Sequence, residues 1–389
     1  MAHVRDEFLI FGSPLIGEEE IAEVVDSLRS GWIGSGPKVR RFEELLRDQV
    51  GAPYVRCVSS CTAALFLALK AMGVGEGDEV LVPAMTFVAT ANAVEQTGAA
   101  AVLVDVEQDT GLIDLEAAKA ALTDRTRGVI PVHLYGRPVD MDRLLAFSSE
   151  HEVFVLEDAA HALGASWKGT PIGGHGNPTA FSFYPTKNIT TIEGGALATF
   201  DVRLARRIEQ LALHGLSAGA WARFSDSGYK HYLATELGYK FNMTDVQASV
   251  GIHQLPRLSQ WIARRAELAA RYDELLSGMP LTTPPAASPE MVHAHHLYPV
   301  LLEGVTVDER DAVLNSLTRH KIGVGVHYTA VHLHPIYREK YGYVPNDFPV
   351  ATDISNRTLS LPLSPKIGER DQDDVAEALH QALAELRQR

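Results

Sequence analysis

The stretch VFVLEDAAHALGA (153–165) carries the strongest single statement in the sequence. An unbroken apolar run, too short for a helix and bounded by polar residues, reads as a strand covered on both faces. It ends directly on Glu157 and Asp158, with His161 one helical turn further on. In open α/β sheets ligands bind beyond the carboxyl ends of the strands, so a carboxylate there is a candidate ligand contact. Asp158 serves equally well as an N-cap for the small residues that follow.

Further runs of the same kind flank it: DEVLVPA (78–84), AAVLVDV (100–106), GVIPVHLYG (128–136), AFSFY (180–184) and GALATF (195–200). Helical patterns separate them: CTAALFLALKAMG (61–73), FVATANAVEQTG (87–98), DLEAAKAALT (114–123) and DMDRLLAFSSEH (140–151). Strand and helix alternating at this spacing predict an α/β fold with a mostly parallel sheet and right-handed crossovers. From about residue 245 one long helical pattern follows, interrupted at Pro256. Beyond it lie HLYPVLL (296–302), a helix over 308–321, a strand GVGVHY (323–328) and a C-terminal helix. That α+β texture predicts a large domain over 1–255 and a smaller C-terminal one over 256–389.

Composition narrows the function. Of 389 residues, 46% are hydrophobic and 22% charged, enough to bury a core and too apolar for a disordered chain. A net charge of −14 argues against a nucleic-acid partner. No apolar run reaches the roughly 18 residues of a membrane span. The N-terminus lacks a signal-peptide pattern, since its short apolar stretch runs into Glu18-Glu19-Glu20. Cys57 and Cys61 are the only cysteines, too few for a disulfide framework or a thiolate metal site. The expectation is a cytoplasmic enzyme without a metal.

Two more segments carry possible chemistry. In AFSFYPTKNITTIEGGALATF (180–200), Lys187 lies between two strands in a segment with no other positive charge. A desolvated lysine loses its proton and attacks carbonyls, whereas an ordinary loop lysine stays solvated. In CVSSCTAALFLALKA (57–71), Ser60, Cys61 and Thr62 open an apolar helix. The free N–H groups of such a start bind anions, and the hydroxyls also serve as plain caps. Taken together, an anion-binding helix start, a strand-end aspartate and a lysine between strands are what pyridoxal phosphate requires. It needs a phosphate cradle, a carboxylate for its ring nitrogen and an amine for its aldehyde.

These segments resemble the DegT/DnrJ/EryC1/StrS family of nucleotide-sugar aminotransferases. The likeness runs from GSPLIGEEEIAEVVDSLRSGWIGSGP through SSCTAAL, VPAMTFVATANAV, LEDAAHALGA, SFYPTKNITTIEGG and LGYKFNMTDVQASVGIHQL to IGVGVHYTAVHLHPIY. It implies the type I fold of pyridoxal-phosphate transferases, with the cofactor (PLP, or PMP in the amine form) held covalently on Lys187. By the same resemblance Lys187 shuttles the proton and Asp158 partners the ring nitrogen. His161 stands near the phenolic oxygen, Phe87 stacks on the ring, and Ser60, Cys61, Thr62 and Ser182 face the phosphate. The segment GYKFNMTD matches a loop that reaches a partner subunit's cofactor. Where the family commonly has GYNYRM, this chain has Lys240 and Asn242, and either is a candidate for the partner's phosphate.

The resemblance also implies L-glutamate as amino donor, a nucleotide-linked keto-sugar as acceptor and a homodimer with shared active sites. Its GYKFN, EDAAHA and KNITTIEGG forms are similar to enzymes that aminate UDP-4-keto-L-arabinose-type sugars. A dehydratase branch of the family has His at the lysine position, so Lys187 implies transamination. Trp32, with Ser35 and Pro37 beside it, and His327, Tyr328 and His332 are candidates for the sugar side, with interdomain packing as the alternative for the last three. His293, His295 and His296 form a local cluster that reads as a solvated segment rather than a metal site. A 3-keto sugar or keto-inositol acceptor, or a PLP-binding regulator without activity, are the alternative functions.

Overall fold

The computed structural model describes residues 4–217 and 232–387. Two helices, α1 (Glu18–Ser30) and α2 (Pro37–Val50), lead into strand β1 (Tyr54–Val58) and helix α3 (Cys61–Ala71). The alternating region then gives β2 (Glu79–Pro83), α4 (Ala89–Glu95), β3 (Ala100–Val104), α5 (Leu115–Ala120), β4 (Thr126–Val129) and α6 (Met141–His151). Next come β5 (Phe154–Val155) and β6 (Glu157–Asp158), a small hairpin β7 (Ser166–Trp167) and β8 (Thr170–Pro171), then β9 (Thr179–Ser182), β10 (Gly195–Thr199) and α7 (Val202–Leu211).

The strands form two halves, in the orders β3-β2-β4-β5 and β6-β9-β10-β1. Residues 154–158 join them. Leu156 N–H donates to the Val129 carbonyl, and Asp158 N–H to that of Pro131. All pairs in the first half and β6 with β9 are parallel, while β10 runs antiparallel to both β9 and β1. The result is the mostly parallel sheet expected from the continuous apolar runs. Every residue of β2 and of β10 is buried, which explains why those runs do not alternate.

The long helical pattern divides where Pro256 removes a backbone donor. Helix α8 (Asp245–Gln254) passes through a 3-10 turn into α9 (Leu258–Leu275). A second sheet, β11 (Leu281–Thr282), β13 (Tyr298–Leu302) and β14 (Thr358–Leu361), is antiparallel, and β12 (Met291–Val292) joins the β7–β8 hairpin. Helices α10 (Val307–Arg319), α11 (Pro335–Tyr341), α12 (Pro349–Arg357) and α13 (Glu369–Leu386) complete the chain. Two hydrophobic clusters result, one built on the large sheet and one on the small sheet with α10 and α13. Helix α9 feeds both, with Trp261 and Ile262 in the first and Leu268 and Tyr272 in the second.

One strand expectation fails. GVGVHY (323–328) makes only an isolated bridge, Gly325 to Ser360. The sheet edge beside β13 is taken by β14, whose four residues are all buried. Among the described residues no helix is long and apolar enough to cross a membrane.

Candidate active site

Lys187 and Asp158 meet because β6 and β9 are parallel neighbours, with Asp158 paired to Ala180. Asp158 ends β6, and Lys187 lies in the connection that leaves β9 for β10. Both therefore stand beyond the carboxyl ends of their strands. Burial lowers the Lys187 ammonium from 10.5 to about 8, with the negative charge of Asp158 pulling the other way. Asp158 is buried. One oxygen, Oδ1, accepts the Ala160 N–H at 3.0 Å and has the Cys61 sulfur 3.9 Å away. The other, Oδ2, accepts the Thr90 hydroxyl at 2.7 Å.

The start of α3 faces the same place. Ser60 caps the helix, its Oγ accepting from Ala63 N–H at 3.1 Å, with Cys61 and Thr62 as the first helical residues. Helix and sheet approach so closely here that a Cβ on Gly195 would lie 2.3 Å from the Ser60 carbonyl carbon and 2.4 Å from Cys61 N. Gly195 in turn pairs with Ser182 across β9 and β10, which brings Ser182 to the helix start. Ser59 N–H donates to the Phe241 carbonyl at 2.7 Å, so the Lys240–Asn242 segment abuts this end of α3. Lys240 donates to Asn242 Oδ1, and Asn242 Nδ2 donates to Ser35 Oγ at 2.6 Å.

A ring cluster forms the third wall. His161 Nδ1 accepts the Tyr135 N–H at 3.2 Å, and its Nε2 lies 2.9 Å from the Tyr328 hydroxyl. Burial, then the charge of Lys187, pushes the His161 imidazole well below its usual value of 6.5. The Phe87 ring, 55% exposed, sits 5.5 Å from that of Tyr328. The neighbouring His327 stacks on Phe11 at 5.1 Å and shares a hydrogen bond of 2.9 Å with Ser360. Tyr135 organises the group from a left-handed conformation (φ 61°). Its carbonyl accepts from His296 and Leu297, and its hydroxyl donates to the His327 carbonyl.

Not every candidate joins this centre. Trp32 packs beside Gly36, in a turn tied to Asn242 through Ser35, and His332 is fully buried between Thr352 and Phe348. The segment 293–296 is not solvated. His296 is buried with its ring 4.5 Å from that of His161, and Arg265 holds the carbonyls of His295 and His296. Among the described residues no cluster could hold a metal ion. Thr90, Tyr135 and His296 escape a sequence reading. Their partners are distant in the chain, and only the helical spacing of Phe87 and Thr90 hints that both face one site.

The sequence model of the DegT/DnrJ/EryC1/StrS aminotransferase family matches residues 14–380. The chain belongs to this family. Among family relatives, the spore coat polysaccharide biosynthesis protein SpsC of Bacillus subtilis (strain 168) is 46% identical, covering 97% of this chain and 98% of its own. A putative sugar aminotransferase of Streptococcus pneumoniae, Spr1654, solved in PMP form, superposes with a TM-score of 0.91 at 33% identity, over 97% of this chain and all of that one. The aminotransferase-family fold is shared also by DesI, solved in the presence of its TDP-sugar product, with a TM-score of 0.87 at 30% identity, over all of this chain and 96% of that one.

Proposed function

We propose that this chain is a pyridoxal-phosphate-dependent aminotransferase that transfers an amino group from L-glutamate to a nucleotide-linked keto-sugar, with the keto group at C4. The observation that carries the reading is Lys187, an amine lowered to about 8 by burial, beside the buried carboxylate Asp158 at adjacent strand ends. The donor set fits the cofactor. Asp158 suits its ring nitrogen, the start of α3 with Ser60, Cys61, Thr62 and Ser182 suits its phosphate, and His161 suits its phenolic oxygen. Phe87 offers the aromatic face. The solved PMP and PLP forms of the Streptococcus pneumoniae relative support this choice.

When bound, pyridoxal phosphate supplies an aldehyde for amine exchange and a ring that stabilises the charge left by a departing α-proton. Lys187 would hold the cofactor through its amine. Once released, that amine would take the α-proton of the donor and, as the ammonium, give it back two atoms along, a two-way exchange that suits a value of about 8. Asp158 would face the ring nitrogen and hold its proton there. His161, neutral, donates from Nε2 rather than adding charge. His327 and Tyr328 line the side from which the sugar enters. The SpsC relative's link to polysaccharide biosynthesis and DesI's TDP-sugar product support a nucleotide-sugar acceptor.

The site is completed in a cytoplasmic homodimer. Phe8, Ile10, Ile16, Ile21 and Ile33 of the N-terminal region, together with Ile192 near the site, expose apolar side chains that a second copy would cover. Lys240 or Asn242 then reaches the partner's phosphate. The chain divides into a large and a small domain at α8–α9.

The visible spectrum tests this reading. The purified protein given pyridoxal phosphate is expected to turn yellow, and L-glutamate to replace that band by the shorter-wavelength band of the amine form. A panel of nucleotide-linked 4-keto and 3-keto sugars then identifies the acceptor by return of the colour. A protein that stays colourless refutes the cofactor assignment. One that ignores every nucleotide sugar but accepts a keto-inositol refutes the acceptor.

A further inference from the structure

Thr90 is not part of any motif role above, yet its hydroxyl makes the shortest contact to Asp158. The Thr90 Oγ1–Asp158 Oδ2 distance is 2.7 Å, and both side chains are buried, at 1% and 5% exposure. A second buried hydroxyl, Thr86, lies 2.9 Å from Thr90 Oγ1. The directions of these bonds follow from chemistry. An ionised carboxylate only accepts, so Thr90 donates to it. With its one hydrogen committed, Thr90 accepts from Thr86. Two hydroxyl dipoles therefore point in series at one oxygen of Asp158, while Ala160 N–H donates to the other. Two donors on this buried carboxylate, one on each oxygen and one of them backed by Thr86, fix its plane.

We infer that Thr90, supported by Thr86, is the positioning residue that holds Asp158 aimed at the cofactor's ring nitrogen. The inference rests on the function proposed above. It also explains why Phe87 stands just before α4 and Thr90 in its first turn. The turn that presents the aromatic face carries, three residues later, the hydroxyl that sets the opposing carboxylate. Without that hydroxyl Oδ2 of Asp158 loses its donor, and the carboxylate plane is held only through Oδ1, by the Ala160 N–H and the more distant Cys61 thiol. The Thr90 hydroxyl also lies 3.2 Å from the Phe87 carbonyl, a longer contact than the one to Asp158.

The test compares the full-length wild type with Thr90→Val, which keeps the shape and loses the donor, and with Thr90→Ser, which restores it. Each protein is loaded with pyridoxal phosphate, and the cofactor dissociation constant, the pH dependence of the visible band and the single-turnover reaction with L-glutamate are recorded. Thr90→Val is expected to bind the cofactor about tenfold more weakly and to shift the pH dependence of the band. Its rate with L-glutamate should fall about tenfold to a hundredfold, the size of a hydrogen bond to a charged group, with the donor KM little changed. Thr90→Ser should stay within about threefold of the wild type, and Thr86→Val should lie between. A Thr90→Val protein with wild-type affinity, spectrum and rate overturns the inference, as does a Thr90→Ser protein as impaired as Thr90→Val. If Thr90→Val does not fold, Thr90→Ala carries the same expectation and Thr86→Val the same ordering. A wild type that binds no pyridoxal phosphate fails the function itself, which is a different result from an insensitive Thr90.

Discussion

The hydroxyl of Tyr328 lies 2.9 Å from Nε2 of His161, and the opposite nitrogen of that ring accepts the Tyr135 N–H. One backbone donor thus fixes the tautomer: the ring, held neutral by burial, carries its hydrogen on Nε2. His161 is thus a donor whose direction is set by a residue 26 positions away in sequence. Other histidines in and around the site follow the same rule. Burial lowers His293 and His296 well below 6.5, and His295, His327 and His332 to about 4.

Acid should therefore destabilise this protein early. Each of these six imidazoles has a folded-state pKa below its unfolded value. The unfolded chain binds more protons, and stability falls as pH drops from about 6.5 toward 4. Glu43, which burial raises to about 7, and Asp245 and Asp273, which burial also raises, act in the opposite sense but are fewer. Each proton taken up contributes a slope of about 1.4 kcal/mol per pH unit. Urea midpoints measured between pH 5 and 8 should decline steeply below pH 6.5. A flat profile there would contradict the buried, neutral state of the rings.

Replacing Lys187 by Ala should abolish the glutamate half-reaction by several orders of magnitude while leaving non-covalent cofactor binding. The lowered ammonium adds a pH signature. With a value of about 8, the rate at which apoenzyme takes up pyridoxal phosphate should rise about tenfold per pH unit below 8 and then level off. An ordinary lysine would keep rising toward 10.5. Stopped-flow absorbance distinguishes the two, and persistent transamination by Lys187→Ala would end the assignment.

The parts of the site that are contiguous in sequence were legible there. A strand running into Asp158, a lysine between two strands and small hydroxyl residues opening an apolar helix each have a local physical meaning, and the parallel sheet follows from unalternating strands. Contacts between distant segments were not. Nothing in AMTFVATANA states that Thr90 faces Asp158, because that depends on how α4 packs over β6. The histidines at 293–296 read as solvated because polar residues usually are. Arg265 and Asn188, 30 and 106 residues earlier in the chain than the carbonyls they bind, draw this segment inside. GVGVHY has strand-like alternation, but it meets the outer edge of β14 only at Gly325 and Ser360, and one bridge does not make a strand.

Gly195→Ala should separate the cradle from the sheet. Its methyl would meet the backbone of Ser60 and Cys61 at 2.3–2.4 Å, atoms that cannot rotate away. Overpacking against backbone should cost about 3 kcal/mol or more, and the displaced start of α3 should weaken phosphate binding. Thermal unfolding and pyridoxal-phosphate affinity should fall together, with pyridoxal lacking the phosphate much less affected. Unchanged melting would show that α3 and β10 are not in such close contact.

Glu157 and His133 form a fully buried pair at 2.9 Å one residue before Asp158. Val139 N–H donates to His133 Nδ1, so Nε2 carries the hydrogen that Glu157 accepts, and Asn177 fills the other carboxylate oxygen at 3.1 Å. The pair links the residues after β4 to β6, and the His133 N–H also donates to the Asp158 carbonyl. Glu157→Ala strands the imidazole and the amide without acceptors and should cost about 3–5 kcal/mol in urea unfolding. Removing both partners, as Glu157→Leu with His133→Phe, should cost less than Glu157→Ala alone, since no polar group is left unpaired. If the double variant proves the less stable one, the pair is contributing net attraction rather than only satisfying its own burial. Cofactor affinity should track the single variant's loss, because the same backbone carries Asp158.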